Sequence, residues 1–383
     1  MFRLPLELHQ AIFHHLNFKE LVRAQTVSRQ WQQIILDSSL WPSSVYVTPG
    51  TFDTWSVIWP DWTEKEKGKF QCNPKTTRQV LQSFSKGITK ELSVIKRRIA
   101  AEDILDVLPN FLSLEKFTLQ ITSISSRELI SILQCLPQIS IIFLHFDKFQ
   151  GRPMGRLKTI QLNLRRLSIG VNRPAALYNT VANIVQHSPD LISLAVTATT
   201  AKKELTMKLG DGIQCLALTV KGKLPPISAR GLKCLKLTVP WHHGYEPFEH
   251  CACDLSYLTH FELYGTSFEV PSDEVALSIM EAYNIGENLE FLRLESDPIH
   301  EILIRAPKLK ELRMNTLFAV SPDVCPMLQT VRYGPDYRYL DKNEREKIKL
   351  DLKSRGITVL AVDDKSDVKD EMPVCYACGE NHI

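Results

Sequence analysis

Two cysteines and a histidine form the motif best suited to metal or thiol chemistry, Cys375-x-x-Cys378-x-x-x-His382. Two thiolates and an imidazole at that spacing supply one half of a tetrahedral zinc site. The other half would have to come from His250, Cys251 or Cys253, and nothing in the sequence brings these groups together. The same CxxC follows an acidic, lysine-dotted run, Asp363–Glu371, which reads as a flexible linker with a loose tail behind it. A dithiol redox pair calls for a βαβ unit after it, and none is patterned here. The expectation is no cofactor and no metal, with Cys375, Cys378 and His382 as the weak candidates for one. Other reaction chemistry lacks its signatures: there is no P-loop, no six-position glycine fingerprint, no Gly-x-Ser-x-Gly elbow and no His-Glu-x-x-His helix. The chain does not read as an enzyme.

A second set of candidates is basic and aromatic: Lys236, Tyr264, Phe291, Arg293, Arg313 and Arg332. What must position them is a repeat. Apolar triplets spaced as Leu-x-x-Leu-x-Leu occur at Leu114/Phe117/Leu119, Ile139/Ile142/Leu144, Leu164/Leu167/Ile169, Leu191/Leu194/Val196, Ile213/Leu216/Leu218 and Leu232/Leu235/Leu237. They continue at Leu258/Phe261/Leu263, Leu289/Leu292/Leu294 and Leu309/Leu312/Met314, with weaker copies at Leu328/Val331/Tyr333 and Ile357/Leu360/Val362. Successive copies begin 19 to 31 positions apart. The last two members of a triplet lie two apart, so on a strand they face the same way, and the first turns in from the preceding loop. One such unit cannot bury its apolar face, whereas stacked units share a continuous core. Between triplets, Ser126–Leu136, Tyr178–His187, Asp273–Asn284 and Asp341–Ser354 have the periodicity of amphipathic helices.

The triplets resemble those of leucine-rich repeats. The resemblance implies a solenoid with strands on a concave face and helices outside. The asparagine that often follows each triplet in that family is present only once, at Asn172, so a regular asparagine ladder and uniform curvature are not expected. Residues flanking the inward pairs would line the concave face, and Arg293, Arg313 and Arg332 hold the same place in three repeats. A column of guanidinium groups suits an acidic or phosphorylated peptide. Glu262, Glu295 and Glu311 stand near enough in sequence to neutralise it from within, and both readings stay open.

Residues 3–41 follow another rule. Leu4-Pro5-x-Glu7-Leu8, Ile12-Phe13-x-x-Leu16, Leu21, Val27-Ser28-Arg29-x-Trp31, Ile34-Ile35 and Leu40-Trp41 read as three short amphipathic helices. Pro5 suits the first helical position, and Ser28 suits the cap of the third helix. Some forty residues cannot bury that much apolar surface alone, so part of it is an interface. The pattern resembles the F-box, the module by which substrate receptors of SCF-type ubiquitin ligases dock on a Skp-family adaptor. The resemblance implies that Leu4, Pro5, Leu8, Ile12, Phe13, Leu16, Val27 and Trp31 dock the adaptor or hold the helices together, and the sequence does not separate the two roles. Partners would be the adaptor, a cullin-based ligase and a protein substrate; a scaffold that binds the adaptor without degradation shares every feature. A metal-dependent enzyme would need the cysteine and histidine cluster to hold zinc.

The expected fold is therefore an α/β solenoid: an F-box at 1–44, a capping strand and insertion at 45–105, an irregular leucine-rich-repeat horseshoe at 106–364 and a flexible tail at 365–383. Val45-Tyr46-Val47 reads as the edge strand of the array. Trp55, Trp59 and Trp62 sit in a long insertion, either as a contact surface or packed against the cap. Ile88–Ile95 reads as a degenerate repeat with its apolar spacing off by one. With 44% hydrophobic residues and a net charge of +3, nothing pulls the chain towards nucleic acid or anionic membrane. No apolar run is long enough for a membrane span, and Glu7, His9, His14 and His15 rule against a signal peptide. An odd nine cysteines without a framework point to reduced thiols in the cytoplasm or nucleus.

Overall fold

The computed structural model of the chain describes residues 5–16, 18–37, 44–49, 55–59, 68–72, 81–82, 89–95, 104–150, 161–171, 177–198, 207–209, 211–220, 227–228, 230–239, 255–265, 273–294, 305–315, 317–334, 342–361, 374–375 and 380–381. The chain divides into two compact units, Met1–Val171 with His187–Asp190, and Asn172–Gln186 with Leu191–Ile383.

The first unit opens with three helices, α1 (Leu6–His14), α2 (Phe18–Ala24) and α3 (Arg29–Asp37). Pro5 stands one residue before the expected place, as the cap of α1 in an extended conformation. Ser28 caps α3 as its type suggests, its hydroxyl accepting the Trp31 N–H at 3.1 Å. Strands β1 (Ser44–Pro49), β2 (Trp55–Trp59), β3 (Gly68–Cys72), β4 (Glu91–Ile95) and β5 (Lys116–Ser125) follow. Helix α4 (Ser126–Cys135), β6 (Ile141–Gln150) and β7 (Arg166–Val171) complete the unit. A reciprocal cap sets the start of α4: the Ser125 hydroxyl accepts the Glu128 N–H, and the Glu128 carboxylate accepts the Ser125 N–H at 2.6 Å. The strands lie in the order β7-β6-β5-β4-β1-β2-β3. They are parallel from β7 to β1, then antiparallel through β2 and β3.

Two expectations are corrected there. Val45–Val47 is not at the edge, because the stretch read as an insertion folds into a hairpin that adds β2 and β3 beyond β1. Trp55 and Trp59 begin and end β2, while Trp62 lies outside the described residues. The degenerate repeat is in register: Leu92 and Val94 pair with Phe117 and Leu119, and Thr89, 1% exposed, fills the leading slot that Leu114 fills in the next repeat.

The second unit carries α5 (Leu177–Gln186), β8 (Ser193–Ala198), β9 (Met207–Lys208), β10 (Cys215–Val220), β11 (Ile227–Ser228), β12 (Cys234–Val239) and β13 (His260–Gly265). It continues through α6 (Asp273–Ala282), β14 (Phe291–Leu294), β15 (Glu311–Met314), β16 (Thr330–Tyr333), α7 (Lys342–Ser354) and β17 (Thr358–Ala361). A short antiparallel pair, β18 (Val374–Cys375) and β19 (Glu380–Asn381), lies in the stretch expected to be a loose tail. The main strands run parallel in the order β8-β10-β12-β13-β14-β15-β16-β17, and β9 pairs with β11 separately. Parallel neighbours in chain order, with the triplets pointing inward, are the leucine-rich-repeat architecture that the period implies.

Packing and backbone bonds fix the register together. Leu235, Leu237, Phe261, Leu263, Leu292 and Leu294 are all but fully buried, each worth about 1.5–3 kcal/mol over an exposed state. At each step one carbonyl takes two N–H donors of the next repeat: Gln214 takes Lys233 and Cys234, Lys233 takes Thr259 and His260, and Thr259 takes Glu290 and Phe291. Glu290 then takes Lys310 and Glu311, and Lys310 takes Gln329 and Thr330. Consecutive loops stack so closely that a Cβ on Gly231 would lie 2.2 Å from the Asp211 carbonyl oxygen, which leaves room only for glycine. The last triplet is corrected by one residue: Val359 pairs with Val331 and Ala361 with Tyr333, which turns Leu360 outward beside Arg332. Among the described residues no helix is long and apolar enough to cross a membrane.

Candidate functional site

The N-terminal helices sort their apolar residues into two groups. Phe13, Leu21, Ala24 and Ile35 are buried, and Phe13 meets the Trp31 ring edge-on at 5.1 Å. His9 joins that interior, Nδ1 lying 3.1 Å from the Pro5 carbonyl oxygen. Leu6, Leu8, Ile12 and Val27 stay in solvent, between 47% and 65% exposed. Leu8 and Ile12 are one helical turn apart on α1, so they share a face. Pro5 is exposed as well, and Leu16 and Trp31 are half-buried. Leu4 lies outside the described residues. Leaving large aliphatic side chains in water on so small a helical module makes sense only if something covers them.

The repeat face of the second unit carries the other group. Register places Lys236, Glu262, Arg293, Arg313 and Arg332 in one row across β12 to β16. A parallel row runs Cys234, His260, Phe291, Glu311 and Thr330. Neighbouring parallel strands are about 4.8 Å apart, so long side chains of the two rows interleave. Lys236 Nζ stands 4.4 Å from the Tyr264 ring centre, and Arg293 Cζ stands 4.8 Å from it. Arg313 lies 5.2 Å over the Phe291 ring, which also stacks on the His260 ring at 4.0 Å. Such pairs of cation and ring contribute about 0.5–2 kcal/mol each according to their exposure.

Two carboxylates order this surface. Glu262 is buried and accepts hydrogen bonds from His260 Nε2, at 2.9 Å, and from the Tyr264 hydroxyl. Burial pushes its pKa up, but those two bonds and the charge of Lys236 outweigh burial and hold the carboxyl at about 2, so it is ionised at neutral pH. Among the described residues, the buried His260 Nδ1 has no hydrogen-bond partner. Glu311 serves the arginines: its Oε1 accepts Arg313 Nε at 2.7 Å and stands 3.1 Å from Arg332 Nε. The second contact is an ion pair with no hydrogen bond, since Arg332 Nε has no aligned partner.

The F-box-like family model matches residues 1–45. The chain carries an F-box-like domain. Among solved structures, the chain is similar to CroV588, described as a novel circular LRR protein, with 13% identity and a TM-score of 0.36, covering 72% of this chain and 43% of that one. It is similar to TLR13 in its complex with ssRNA13 at 13% identity and a TM-score of 0.34, covering 76% of this chain and 49% of that one. The chain thus spans about half the length of these structures. No curated protein matches it.

Of the F-box positions read from sequence, Phe13 faces inward, whereas Leu8, Ile12 and Val27 face out. Periodicity put Leu8, Ile12, Phe13 and Leu16 on one stripe; the helix buries His9 beside Phe13 instead, which swings Leu8 and Ile12 to the surface. On the repeat face, all six basic and aromatic candidates lie on neighbouring strands. What the sequence left undecided is the pairing: Glu311 engages Arg313 and Arg332, Glu262 goes to His260 and Tyr264, and Glu295 lies outside the described residues. The His260–Phe291 stack was the missed feature; its only signal is that both residues lead their strands. Cys375 lies on β18, while Cys378 and His382 are outside the described residues. Among the described residues no three His, Cys, Asp or Glu stand together as metal ligands.

Proposed function

We propose that the chain is a substrate-recognition subunit of an SCF-type ubiquitin ligase. The observation that carries this reading is the exposed Leu8–Ile12 stripe on the F-box-like domain, an apolar face left uncovered among the described residues. Leu6, Leu8, Ile12 and Val27 dock a Skp-family adaptor, while Phe13, Leu21 and Ile35 hold the helices in shape. The repeat array presents a target protein, with Lys236, Tyr264, Phe291, Arg293, Arg313 and Arg332 on its contact surface. Catalysis belongs to the cullin-based ligase and its ubiquitin-conjugating partner; this chain contributes proximity, which raises the effective concentration of the target. Such a role places it in the cytoplasm or nucleus.

Co-purification with a Skp-family adaptor tests the reading, with the full chain compared with Leu8→Ala/Ile12→Ala and with a chain lacking residues 1–41. Stoichiometric binding that both changes abolish is the expected result. A folded full chain that ignores the adaptor overturns the ligase assignment and leaves a repeat protein with another purpose. Adaptor binding without turnover of any bound target would instead favour a non-degradative scaffold.

A further inference from the structure

The arginine row is not uniform. Arg293 is committed to Tyr264. Arg313 and Arg332 are drawn together by Glu311, whose one oxygen lies 2.7 Å from the first Nε and 3.1 Å from the second. Both contacts use the inner edge of the guanidinium, and among the described residues no protein group takes the terminal NH₂ donors of either. Among the described residues Arg313 makes a single hydrogen bond, at Nε, and Arg332 Nε makes none, although their side chains are only 18% and 28% exposed. Two partly desolvated guanidinium groups, converging on one carboxylate and outnumbering it in charge, call for a second anion in front of them.

We propose that Arg313 and Arg332, aimed by Glu311, form the binding site for a phosphorylated side chain of a partner protein. The inference rests on the reading of the repeat face as the target-binding surface. Spacing favours phosphate over a run of carboxylates. Alternate side chains of an extended peptide project about 6.8 Å apart, whereas these arginines spring from strands about 4.8 Å apart and converge further. Two carboxylates of an acidic peptide do not match that gap. One tetrahedral group with three acceptor oxygens does, because each guanidinium can engage it through two parallel N–H donors. Phe291 beneath Arg313 and Tyr264 beside Arg293 offer apolar area to the flanking residues. Glu311 acts as a positioning residue: it would not touch the phosphate, but it fixes both side chains at Nε and so lowers the entropy lost on binding.

The test uses the full chain and an immobilised degenerate peptide library centred on phosphoserine, beside matched libraries centred on serine and on glutamate. The expected result is retention of the phosphoserine library about tenfold above both others. Arg313→Gln/Arg332→Gln should erase that preference. Arg313→Lys/Arg332→Lys, which keeps charge but loses the planar fork, should lose most of it. Both double variants should still unfold in one cooperative step, the glutamine variant with a midpoint lowered only by the cation–ring and ion-pair contacts it loses, since the altered groups lie outside the apolar interior. A preference that survives the glutamine variant overturns the proposal, as does equal retention of phosphoserine and glutamate. Peptides held without phosphate preference but released by Tyr264→Ala would overturn the phosphate site and leave the target-binding surface standing. No retention of any library by a folded chain would overturn both.

Discussion

The F-box-like helices and the β12–β16 face present opposite kinds of surface. The helices leave Leu6, Leu8, Ile12 and Val27 in water. The repeat face hides Phe291 between His260 and Arg313, and offers charged groups already aimed by carboxylates. Burial of exposed aliphatic area supplies affinity with little dependence on salt. Oriented guanidinium groups supply selectivity for one anion and weaken as ionic strength rises. Under the proposed function, a module that meets one adaptor would use the first, and a surface that discriminates among targets would use the second.

The sharpest way to break this contrast is to exchange the interior and surface of the F-box-like domain. Phe13→Ala removes a residue 1% exposed from a very small core. The loss should be about 3–5 kcal/mol, enough to unfold the three helices. Hydrogen exchange over residues 5–37 reads this locally; protection within a tenth of the parent's would show that Phe13 does not hold the module.

Glu262→Gln is next, at an expected cost on the order of 3 kcal/mol at neutral pH, the size of a carboxyl shift from 4.5 to about 2. The folded value lies below the unfolded one, so the contribution is complete above about 4.5 and is lost as pH falls towards 2. The gap in urea stability between parent and variant should therefore be cut by about half or more on going from pH 7 to pH 3. A gap that stays constant would mean that Glu262 acts by shape rather than charge.

Leu8→Ala/Ile12→Ala sharpens the contrast from the other side. Adaptor affinity should fall by about 2 kcal/mol or more, while stability stays within about 0.5 kcal/mol because both residues are exposed. A matching loss of stability would place them in the domain's own core.

Much of this architecture was legible because apolar spacing maps directly onto which side of a strand is buried. The triplets from Leu114 to Met314 and the arginine row follow from it. Reading failed where a slot was filled by an untypical residue or an extra apolar one was available. Thr89 masks a true repeat, since a threonine buried to 1% exposure stands where leucine usually does. The hairpin of β2 and β3 went unseen because antiparallel pairing has no triplet. On the binding face, residue positions were readable but partners were not: Glu311 can reach either arginine, and only side-chain geometry shows that one oxygen meets both. In the F-box-like domain the excess of apolar surface was evident from sequence, whereas its division depended on His9 turning inward.

The smallest predicted effect bears on the last repeat. The sequence spacing assigns Leu360 to the core in the triplet Ile357/Leu360/Val362, and a core leucine replaced by a charge would cost several kcal/mol. The paired register instead puts Val359 opposite Val331 and leaves Leu360 40% exposed, in line with Arg332. Leu360→Lys should then change stability by no more than about 0.5 kcal/mol. Ile357→Ala, at a site 5% exposed, should cost about 2–5 kcal/mol. Urea midpoints of the two variants decide between the registers, because only a one-residue slip exchanges their order. Leu360→Lys would also extend the basic row by one strand, so stronger retention of phosphoserine peptides by that variant would tie the register to the face it displays.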